Sequence, residues 1–410
     1  MEEIANVRGF KDFLPPDSLK RNKVKAIVER WFKLFGFQPI ETPVIEFAHL
    51  AKTTDDEAVS DMYRLRDKKG RELALRYEFT FQLARIFKQN PNIKLPFKRY
   101  QIGEVFRDDP ASSTRFRQFT QCDADIVGDA KLTADAECLA LFVSILKELG
   151  VKPRVVVNNV NLLRSIISSV QIENVQGVMR ELDKLDKLSV DEVKVNLRKY
   201  ASTSQIVTLF KLLEKDLKFL RSNAFEGSEE VEELIESCEF YKFKPEFSPV
   251  LARGLSYYTG SVFEIRAPFE GKEVTIAGGG RYDDSVGKYI NRKIPAVGIS
   301  FGLERLALVA NVSPQQIPQV LIISISQEKP SVELAMKLRK NGVSCSVSFE
   351  KPSKALEYAN SLNIPVAVFV GEEEVGKKKF KYKDLSTGSE KLVSLDQLLK
   401  IVKKHKLSEG

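Results

Sequence analysis

The chain is poor in the residues that cross-link small domains, bind zinc or act as proton-transfer bases. Its 410 residues include four cysteines and two histidines, and no two cysteines form a C-x-x-C pair. The cysteines are Cys122, Cys138, Cys238 and Cys345, and the histidines are His49 and His405. Such scattered ligands predict neither a zinc site nor any other metal-ligating cluster. With so few histidines, we do not expect a histidine base in catalysis.

The chain also lacks a long hydrophobic run. No apolar stretch reaches the ~18 residues that a membrane helix needs. The first seven residues include two acidic residues and no apolar core, so we expect no secretory signal. Hydrophobic residues make up 43% and charged residues 29% of the chain, which is typical of soluble globular proteins. Together with cysteines expected to be reduced, these features predict a cytoplasmic protein.

Basic residues are in moderate excess, 64 against 56 acidic ones, for a net charge of +8. Lysines are concentrated towards the carboxyl-terminal end, at positions 377, 378, 379, 381, 383, 391, 400, 403, 404 and 406. A basic end domain would favour a polyphosphate partner. The alternative is a solvated basic surface without a partner, and the charge alone leaves both open.

Hydrophobic periodicity divides the chain into three kinds of structure. Residues 1–165 and 241–311 contain strands joined by short turns and predict an α+β core on a mostly antiparallel sheet. Residues 166–240 are rich in charge, poor in glycine and helical in period, and we interpret them as a helical insertion. Strands and helices alternate over residues 319–410, which predicts a small α/β domain with a largely parallel sheet.

One segment of this last region imitates a phosphate-binding loop. Gly371 to Lys378 nearly matches the pattern G-x-x-x-x-G-K-[ST], but Lys378 replaces the hydroxyl residue that would bind Mg²⁺. Three glutamates inside the segment would also repel a phosphate. We therefore expect an ordinary strand-to-loop exit here.

A strand with an unusually polar face is predicted at residues 115–127. Side chains two apart share a face, so Arg115, Arg117, Phe119, Gln121, Asp123 and Asp125 should point one way. Phe116, Cys122, Ala124 and Ile126 should form the opposite, buried face. Gln121 and Asp125 would lie ~13 Å apart along the strand, enough to lay out an extended ligand. The alternative is an ordinary exposed sheet face.

Three further segments combine glycines with arginines. They are Arg253-Gly-Leu-Ser-Tyr-Tyr-Thr-Gly-Ser-Val-Phe-Glu264, Ala277-Gly-Gly-Gly-Arg-Tyr-Asp283 and Gly298-Ile-Ser-Phe-Gly-Leu-Glu-Arg305. Successive glycines let a backbone approach a ligand closely. Arg305 follows a predicted strand inside a helix, where its guanidinium could hold a phosphate with two hydrogen bonds.

These segments resemble the signature motifs of class II aminoacyl-tRNA synthetases. The segment from Gly36 to Pro43 resembles motif 1, Arg107 with its loop and Phe119 resembles motif 2, and Gly302 to Arg305 resembles motif 3. The segments that begin at Arg253 and Gly278 resemble two motifs peculiar to the histidyl-tRNA synthetases. The resemblance covers nearly the whole chain and implies a class II catalytic core, a helical insertion and an anticodon-binding-like domain.

The resemblance also implies roles for individual residues. Arg107, Arg253 and Arg305 would be catalytic, and Arg107, Asp109, Arg115 and Arg305 would bind ATP. Histidine would be bound by Glu78, Thr80, Gln121, Asp125, Tyr257, Tyr258 and Tyr282. The α-ammonium needs anionic or polar acceptors, and the imidazole needs partners for two ring nitrogens. Ser256 departs from the family, which commonly has aspartate there.

The family's reaction would use ATP with Mg²⁺ and no zinc, and the partners would be histidine and tRNA(His). Motif 1 implies a homodimer, and no membrane contact is expected. A second hypothesis is a catalytically inactive paralogue that acts as a regulatory subunit of histidine biosynthesis. Such paralogues usually lack the carboxyl-terminal domain and have eroded histidine-specific motifs, and this sequence retains both.

Overall fold

The computed structural model describes residues 4–49, 61–112, 115–253, 257–313 and 317–408, with side chains for all of these except 186 and 403–408. The chain divides into two compact units, one of Met1–Phe13 with Val24–Asn311 and one of Leu14–Lys23 with Val312–Gly410. Within the described ranges, no helix is long and apolar enough to cross a membrane.

Eleven described strands belong to the first unit. They are β1 (Gln38–Pro39), β2 (Ile45–Phe47), β3 (Arg64–Arg66), β4 (Glu72–Leu75), β5 (Phe97–Phe106), β6 (Gln118–Val127), β7 (Arg154–Asn159), β8 (Glu246–Phe247), β9 (Ser261–Phe269), β10 (Lys272–Arg281) and β11 (Ala296–Gly302). Eight of them form one sheet in the order β1-β5-β6-β11-β10-β9-β7-β8, and β2-β4-β3 form a smaller sheet.

The large sheet is antiparallel through its centre and parallel only at its two edges. Every pairing from β5 to β7 along the sheet is antiparallel, whereas β1 pairs with β5 and β8 with β7 in parallel. The prediction of a mostly antiparallel core is confirmed. Pro39 lies in the edge strand β1, where proline is tolerated because it need not donate a ladder hydrogen bond to a second neighbour.

Nine of the described α-helices lie wholly in the first unit, and α1 belongs to it from Val24 onwards. They are α1 (Asp17–Leu34), α2 (Phe81–Gln89), α3 (Leu132–Glu148), α4 (Val160–Ser169), α5 (Val175–Leu182), α6 (Val190–Leu197), α7 (Thr203–Leu213), α8 (Leu217–Ser222), α9 (Ser228–Phe240) and α10 (Leu303–Val309). α3 is apolar on most of its surface and is the most deeply buried of them. Phe142 of α3 contacts Phe301 of β11 and Phe32 of α1, which ties both helices to the core.

The segment predicted to be a helical insertion is helical. The helical structure starts before residue 166, because β7 leads directly into α4. The Asn159 side chain caps α4 by accepting a hydrogen bond from the Asn161 N–H. Ser189 and Ser202 cap α6 and α7 with reciprocal bonds to Glu192 and Gln205. These local caps give each short helix a defined start. Whether residues 166–240 fold as a separate domain stays a prediction.

The second unit contains a five-stranded sheet. Its strands are β12 (Val320–Ser324), β13 (Cys345–Ser348), β14 (Val366–Val370), β15 (Phe380–Asp384) and β16 (Glu390–Val393), in the order β13-β12-β14-β15-β16. Its helices are α11 (Glu328–Lys340), α12 (Pro352–Ser361), α13 (Glu372–Lys377) and α14 (Leu395–Ser408).

The prediction of a largely parallel sheet is wrong for half of this unit. β12, β13 and β14 are parallel, but β14 pairs with β15 and β15 with β16 in antiparallel fashion. A tight turn causes the last pairing: the Asp384 side chain accepts hydrogen bonds from the N–H groups of Ser386 and Thr387, and Gly388 has φ +72°. A short turn can join only antiparallel neighbours.

The segment that imitates a phosphate loop forms a helix instead of the expected loop. It folds into α13, whose amino-terminal end is closed by the Glu374 carboxylate accepting the Gly371 N–H at 3.0 Å. The Glu374 carboxylate therefore already occupies the start of α13. This local structure agrees with the prediction that the segment does not bind phosphate.

Candidate active site

A cleft of about 830 Å³ opens over the large sheet in the first unit. It is lined by all twelve residues that the sequence analysis assigned to substrate binding or catalysis. They are Glu78, Thr80, Arg107, Asp109, Arg115, Gln121, Asp125, Arg253, Tyr257, Tyr258, Tyr282 and Arg305. Residues far apart in the chain are brought together because β6, β10 and β11 are neighbours in the sheet.

The polar face of β6 lies in this cleft and is buried. Gln121, Asp123 and Asp125 are 3–4% exposed, so the alternative of an ordinary exposed sheet face is wrong. Gly298 of β11 stands opposite Asp125, and a Cβ on this glycine would lie 2.0 Å from the Asp125 carboxylate. The glycine therefore makes room for the carboxylate.

The predicted alternation does not extend to the start of this segment. β6 begins at Gln118, so Arg115 and Phe116 precede the strand. Phe116 was expected on the buried face opposite the polar one, but it lines the cleft and packs edge-on against Phe13. The alternation rule applies only where the backbone is extended, which explains the error.

Three carboxyl groups, Glu78, Asp123 and Asp125, form the acidic floor of the cleft. Burial and the neighbouring Asp123 raise the pKa of Glu78 to about 7. Burial also raises the pKa of Asp123 to about 6, although Arg99 opposes the shift. Burial is the larger cause, and repulsion between neighbouring acids adds to it, so both disfavour the ionised forms of Glu78 and Asp123. Such a floor is suited to a cationic group of a ligand.

Gln121 connects the acidic floor to the first arginine of the cleft. Its side-chain nitrogen donates to both oxygens of Asp123, at 2.9 and 3.0 Å. Its side-chain oxygen accepts from Arg107 Nη2 at 3.2 Å. Sequence analysis expected Gln121 to bind histidine, and this oxygen is the atom that could accept from the α-ammonium. In the structure it already has one donor, and its second lone pair is the remaining place for that contact.

Three tyrosines form one wall of the cleft. The rings of Tyr257 and Tyr258 lie 4.4 Å apart, and the Tyr257 hydroxyl donates to the Tyr258 hydroxyl at 3.1 Å. Tyr282 lies edge-on to Tyr257 and donates its hydroxyl hydrogen to Asp125. Burial raises the pKa of all three hydroxyls, so they are neutral at physiological pH. This wall can pack against a flat ring and bond its polar atoms.

Four arginines converge at the other part of the cleft, and we call Arg107, Arg115, Arg253 and Arg305 the arginine cluster. Burial lowers the pKa of Arg305, and so does repulsion from the other three guanidinium groups. The Arg107 guanidinium lies over the rings of Tyr77 and Phe119, at 4.4 and 5.2 Å. Cations held this close without equal countercharge are suited to a polyanion.

Two members of the arginine cluster are held by carboxylates of the cleft wall. Arg115 forms an ion pair with the buried Asp109. Arg253 Nη1 lies 3.0 Å from a Glu264 carboxylate oxygen, and Glu264 also accepts from Arg266 Nε at 2.9 Å. Arg253 is therefore both ion-paired and part of the cleft lining.

The glycine run of β10 has a different use from the one expected. A Cβ on Gly278 would lie 1.7 Å from Arg253 Nη1, and a Cβ on Gly280 would lie 2.9 Å from the Tyr258 ring. These glycines therefore admit the side chains of Arg253 and Tyr258 over the sheet. In this structure, the close approach to the backbone is made by the protein's own side chains.

Sequence reasoning missed four residues that shape the site. Asp123 belonged to the polar face but received no role, Glu264 and Glu304 were quoted only as parts of motifs, and Arg99 was not singled out. Glu304 accepts the Thr120 N–H with its carboxylate at 3.1 Å and joins α10 to β6. Alternation along β6 could have identified Asp123. The other three act through contacts with residues remote in the sequence.

Glu78 makes the stability of the protein depend on pH. Its pKa of about 7 lies above the usual 4.5, so the folded state binds more protons than the unfolded chain between these values. The free energy of unfolding should therefore fall as pH rises through this window, by on the order of 2–3 kcal/mol. Glu78→Gln keeps an acceptor for the Phe81 N–H and removes the charge, so it should flatten this dependence.

Urea unfolding at about pH 5 and about pH 8 measures the effect. The exposed substitution Glu236→Gln is the control and should retain the wild-type dependence. An equally steep loss of stability in Glu78→Gln would contradict the assignment.

Comparison with known proteins identifies the family. A family model described as histidyl-tRNA synthetase matches residues 9–306, and one described as an anticodon binding domain matches residues 319–405. Histidine–tRNA ligase 1 of Bacillus cereus is 35% identical over 420 residues, which cover 97% of this chain and 99% of that protein. A crystal structure of histidyl-tRNA synthetase from Nostoc sp. PCC 7120 has a TM-score of 0.86 at 28% identity, over 98% of this chain and 99% of that one.

A further solved structure is described as an ATP phosphoribosyltransferase regulatory subunit/histidyl-tRNA synthetase from Bacillus halodurans C. It is 23% identical with a TM-score of 0.75 over 87% of this chain and 97% of that one, a likeness that shows the fold alone. The fold is thus that of the class II core predicted from the motifs. The chain belongs to the histidyl-tRNA synthetase family, and an anticodon-binding domain forms its carboxyl-terminal part.

Proposed function

We propose that this chain is a histidine–tRNA ligase that activates histidine with ATP and transfers it from the adenylate to the 3′ end of tRNA(His). The observation that carries the proposal is one cleft with an acidic floor and an arginine cluster. A zwitterionic amino acid and a triphosphate need this division of charge. The family and the intact motifs support the same conclusion.

Histidine occupies the acidic floor in this proposal. Its α-ammonium lies near Glu78, Thr80 and Gln121. A cation there favours the ionised form of Glu78, which burial and Asp123 otherwise disfavour. Its imidazole lies near Asp125 and Tyr282, with Tyr257 and Tyr258 along its side. A ring that leaves these polar groups unpaired is rejected, because a buried polar group without a partner is costly.

ATP occupies the arginine cluster. Arg107 holds the α-phosphate, Arg305 the γ-phosphate, and Arg115, fixed by Asp109, the pyrophosphate region. The histidine carboxylate attacks the α-phosphorus and pyrophosphate leaves. A carboxylate is already ionised, so no base is needed. Catalysis then consists of positioning and of stabilising charge on the phosphorus.

Mg²⁺ would arrive with the triphosphate. The buried carboxylates of the cleft outside its acidic floor are Asp109, Glu264 and Glu304. Each already has an arginine or a backbone N–H as a partner. Most of the Mg²⁺ coordination should therefore come from phosphates and water, which this ion commonly retains. No zinc is part of the proposal.

ATP–pyrophosphate exchange with each of the twenty amino acids tests the function. We expect exchange with histidine alone. No exchange with any amino acid would contradict the ligase and favour the alternative, an inactive paralogue acting as a regulatory subunit of histidine biosynthesis. Exchange with a different amino acid would leave the adenylation chemistry standing and overturn the specificity.

Removal of the chain after Asn311 should separate the two half-reactions. The twelve site residues precede this point, and the anticodon-binding domain follows it. We expect histidine-dependent pyrophosphate exchange to persist while charging of tRNA(His) falls at least ~10-fold, because the domain's contacts with tRNA are lost. A thermal melt checks that the shortened protein is folded. Loss of exchange in a folded protein would contradict this division of labour.

The protein is expected to be a cytoplasmic homodimer. The segment Gly36 to Pro43 resembles the dimer motif, and the adjoining small sheet exposes apolar side chains. They are Val44, Ile45, Phe47 and Leu65, which are 40%, 48%, 40% and 38% exposed. A second copy would cover them. Sedimentation of the wild type should give a dimer, and Phe47→Glu should shift it towards monomer.

A further inference from the structure

Arg99 is the largest completely buried side chain among the described residues, with 0% exposure. It lies on β5, opposite Asp125 of β6. Its Nη2 is 2.6 Å from Asp125 Oδ2 and 3.5 Å from the Phe79 carbonyl, whereas Nε and Nη1 have no hydrogen-bond partner. An arginine remains charged in the interior and is retained there only with a counterion. Asp125 is that counterion.

Arg99 does not line the cleft, but Asp125 does. Arg99 therefore acts on a ligand through the acids of the floor, and most directly through Asp125, whose two oxygens face different partners. Oδ2 faces Arg99, and Oδ1 accepts the hydroxyl hydrogen of Tyr282. The single hydrogen of this phenol is thus directed away from the ligand, and the lone pairs of its oxygen face the cleft. In this state Tyr282 is an acceptor for an N–H group.

The direction of the Tyr282 hydrogen depends on the charge of Asp125. Burial raises the pKa of Asp125, and the Arg99 cation opposes the shift. Without Arg99, a protonated Asp125 would donate to Tyr282, and the phenol hydrogen would turn towards the ligand. Tyr282 would then meet an imidazole N–H with an N–H···H–O clash instead of a hydrogen bond.

We infer that Arg99 is a positioning residue that keeps Asp125 ionised and thereby makes Tyr282 an acceptor for the imidazole N–H of the substrate. This deepens the proposed function and rests on it. It assigns histidine selection partly to a side chain that never touches histidine. Other titratable groups interact with Asp125 or with Arg99. They are Glu78, Asp123, Cys138, Tyr258 and Tyr282.

The test compares Arg99→Leu with wild type in pyrophosphate exchange across about pH 6.5 to 9.5. We expect the KM for histidine to rise at least ~10-fold near pH 7 while the KM for ATP stays within about twofold. The ratio of wild-type to variant kcat/KM for histidine should decrease as pH rises, because Asp125 then ionises without help. Titration of free histidine is the same with both proteins and cancels in this ratio.

Two further variants separate this role from a general packing defect. Arg99→Lys restores the cation, so its pH profile should follow that of the wild type even if its activity is lower. Arg99→Leu combined with Asp125→Asn removes both charges of the buried pair and the titrating group. Its deficit should change less with pH than that of Arg99→Leu, because Asp125 no longer titrates and only Asp123, whose pKa Arg99 also lowers, still responds to the lost cation. This double variant also remains testable if Arg99→Leu alone does not fold.

A histidine KM in Arg99→Leu within about twofold of wild type, or a deficit independent of pH, would overturn the inference. An equal rise in the KM values for histidine and ATP would indicate distortion of the whole cleft and would also overturn it. Failure of the underlying proposed function is distinguishable, because the wild-type protein would then show no exchange with histidine.

Discussion

Arg253→Ala is expected to fold and bind ATP but to form adenylate roughly 10²-fold more slowly or worse. Arg253 lies in the arginine cluster, where burial and its positive neighbours already lower the pKa of Arg305. During adenylation an anionic carboxylate approaches the α-phosphate as negative charge develops there. A guanidinium that faces both groups stabilises the transition state more than either substrate alone. Pre-steady-state measurement of adenylate formation gives the rate.

The fold should tolerate this change. Arg253→Ala removes one partner of the buried Glu264, but Arg266 still contacts that carboxylate at 2.8 Å. Arg253→Lys should restore only part of the rate, because an ammonium lacks the planar fork of the guanidinium. A rate of Arg253→Ala within about threefold of wild type would refute the catalytic role.

Gly278 offers a second way to move the same guanidinium. A Cβ there would collide with Arg253 Nη1, the mobile end of a long side chain, so Gly278→Ala should displace Arg253 without unfolding the sheet. We expect an adenylation defect close to that of Arg253→Ala. In the double variant the two defects should not add, since the second change displaces a side chain already absent. Additive losses would mean that Gly278 serves the ligand directly.

Tyr282→Phe and Asp125→Ala are expected to raise the KM for histidine about tenfold or more, with little change in the KM for ATP. The two residues are joined by a hydrogen bond at the acidic floor, where the proposed position of the histidine ring lies. Loss of either leaves a buried polar group unpaired, at about 1–3 kcal/mol. Exchange kinetics with each substrate varied in turn measure both constants.

The two variants should differ in stability. Asp125→Ala leaves Arg99 buried without its counterion, and breaking a buried pair costs about 3–5 kcal/mol. Tyr282→Phe leaves that ion pair intact and is the cleaner test of imidazole recognition. Equal increases in the KM for histidine and for ATP would mean that these residues do not read the imidazole.

The residues that line the cleft, and most of the fold of the first unit, could be predicted from the sequence alone. Alternation along β6 placed Gln121 and Asp125 on one polar face, and the motifs supplied the arginines and tyrosines that line the cleft. Their location in one cleft could be predicted because it depends on local periodicity and on residue types needed for one chemistry, whereas their roles stay predictions. The same reasoning failed at Phe116, where the chain is not yet a strand.

Pairing between distant segments was decided by the tertiary structure. Nothing near Arg99 in the sequence indicates that it lies opposite Asp125. Nothing near Arg253 indicates that it pairs with Glu264 or that Gly278 leaves room for it. The antiparallel half of the second sheet likewise depends on a turn at Asp384 that strand and helix alternation does not reveal. Local propensity is encoded within a few residues, whereas strand register and buried charge pairing exist only once remote segments share one interior.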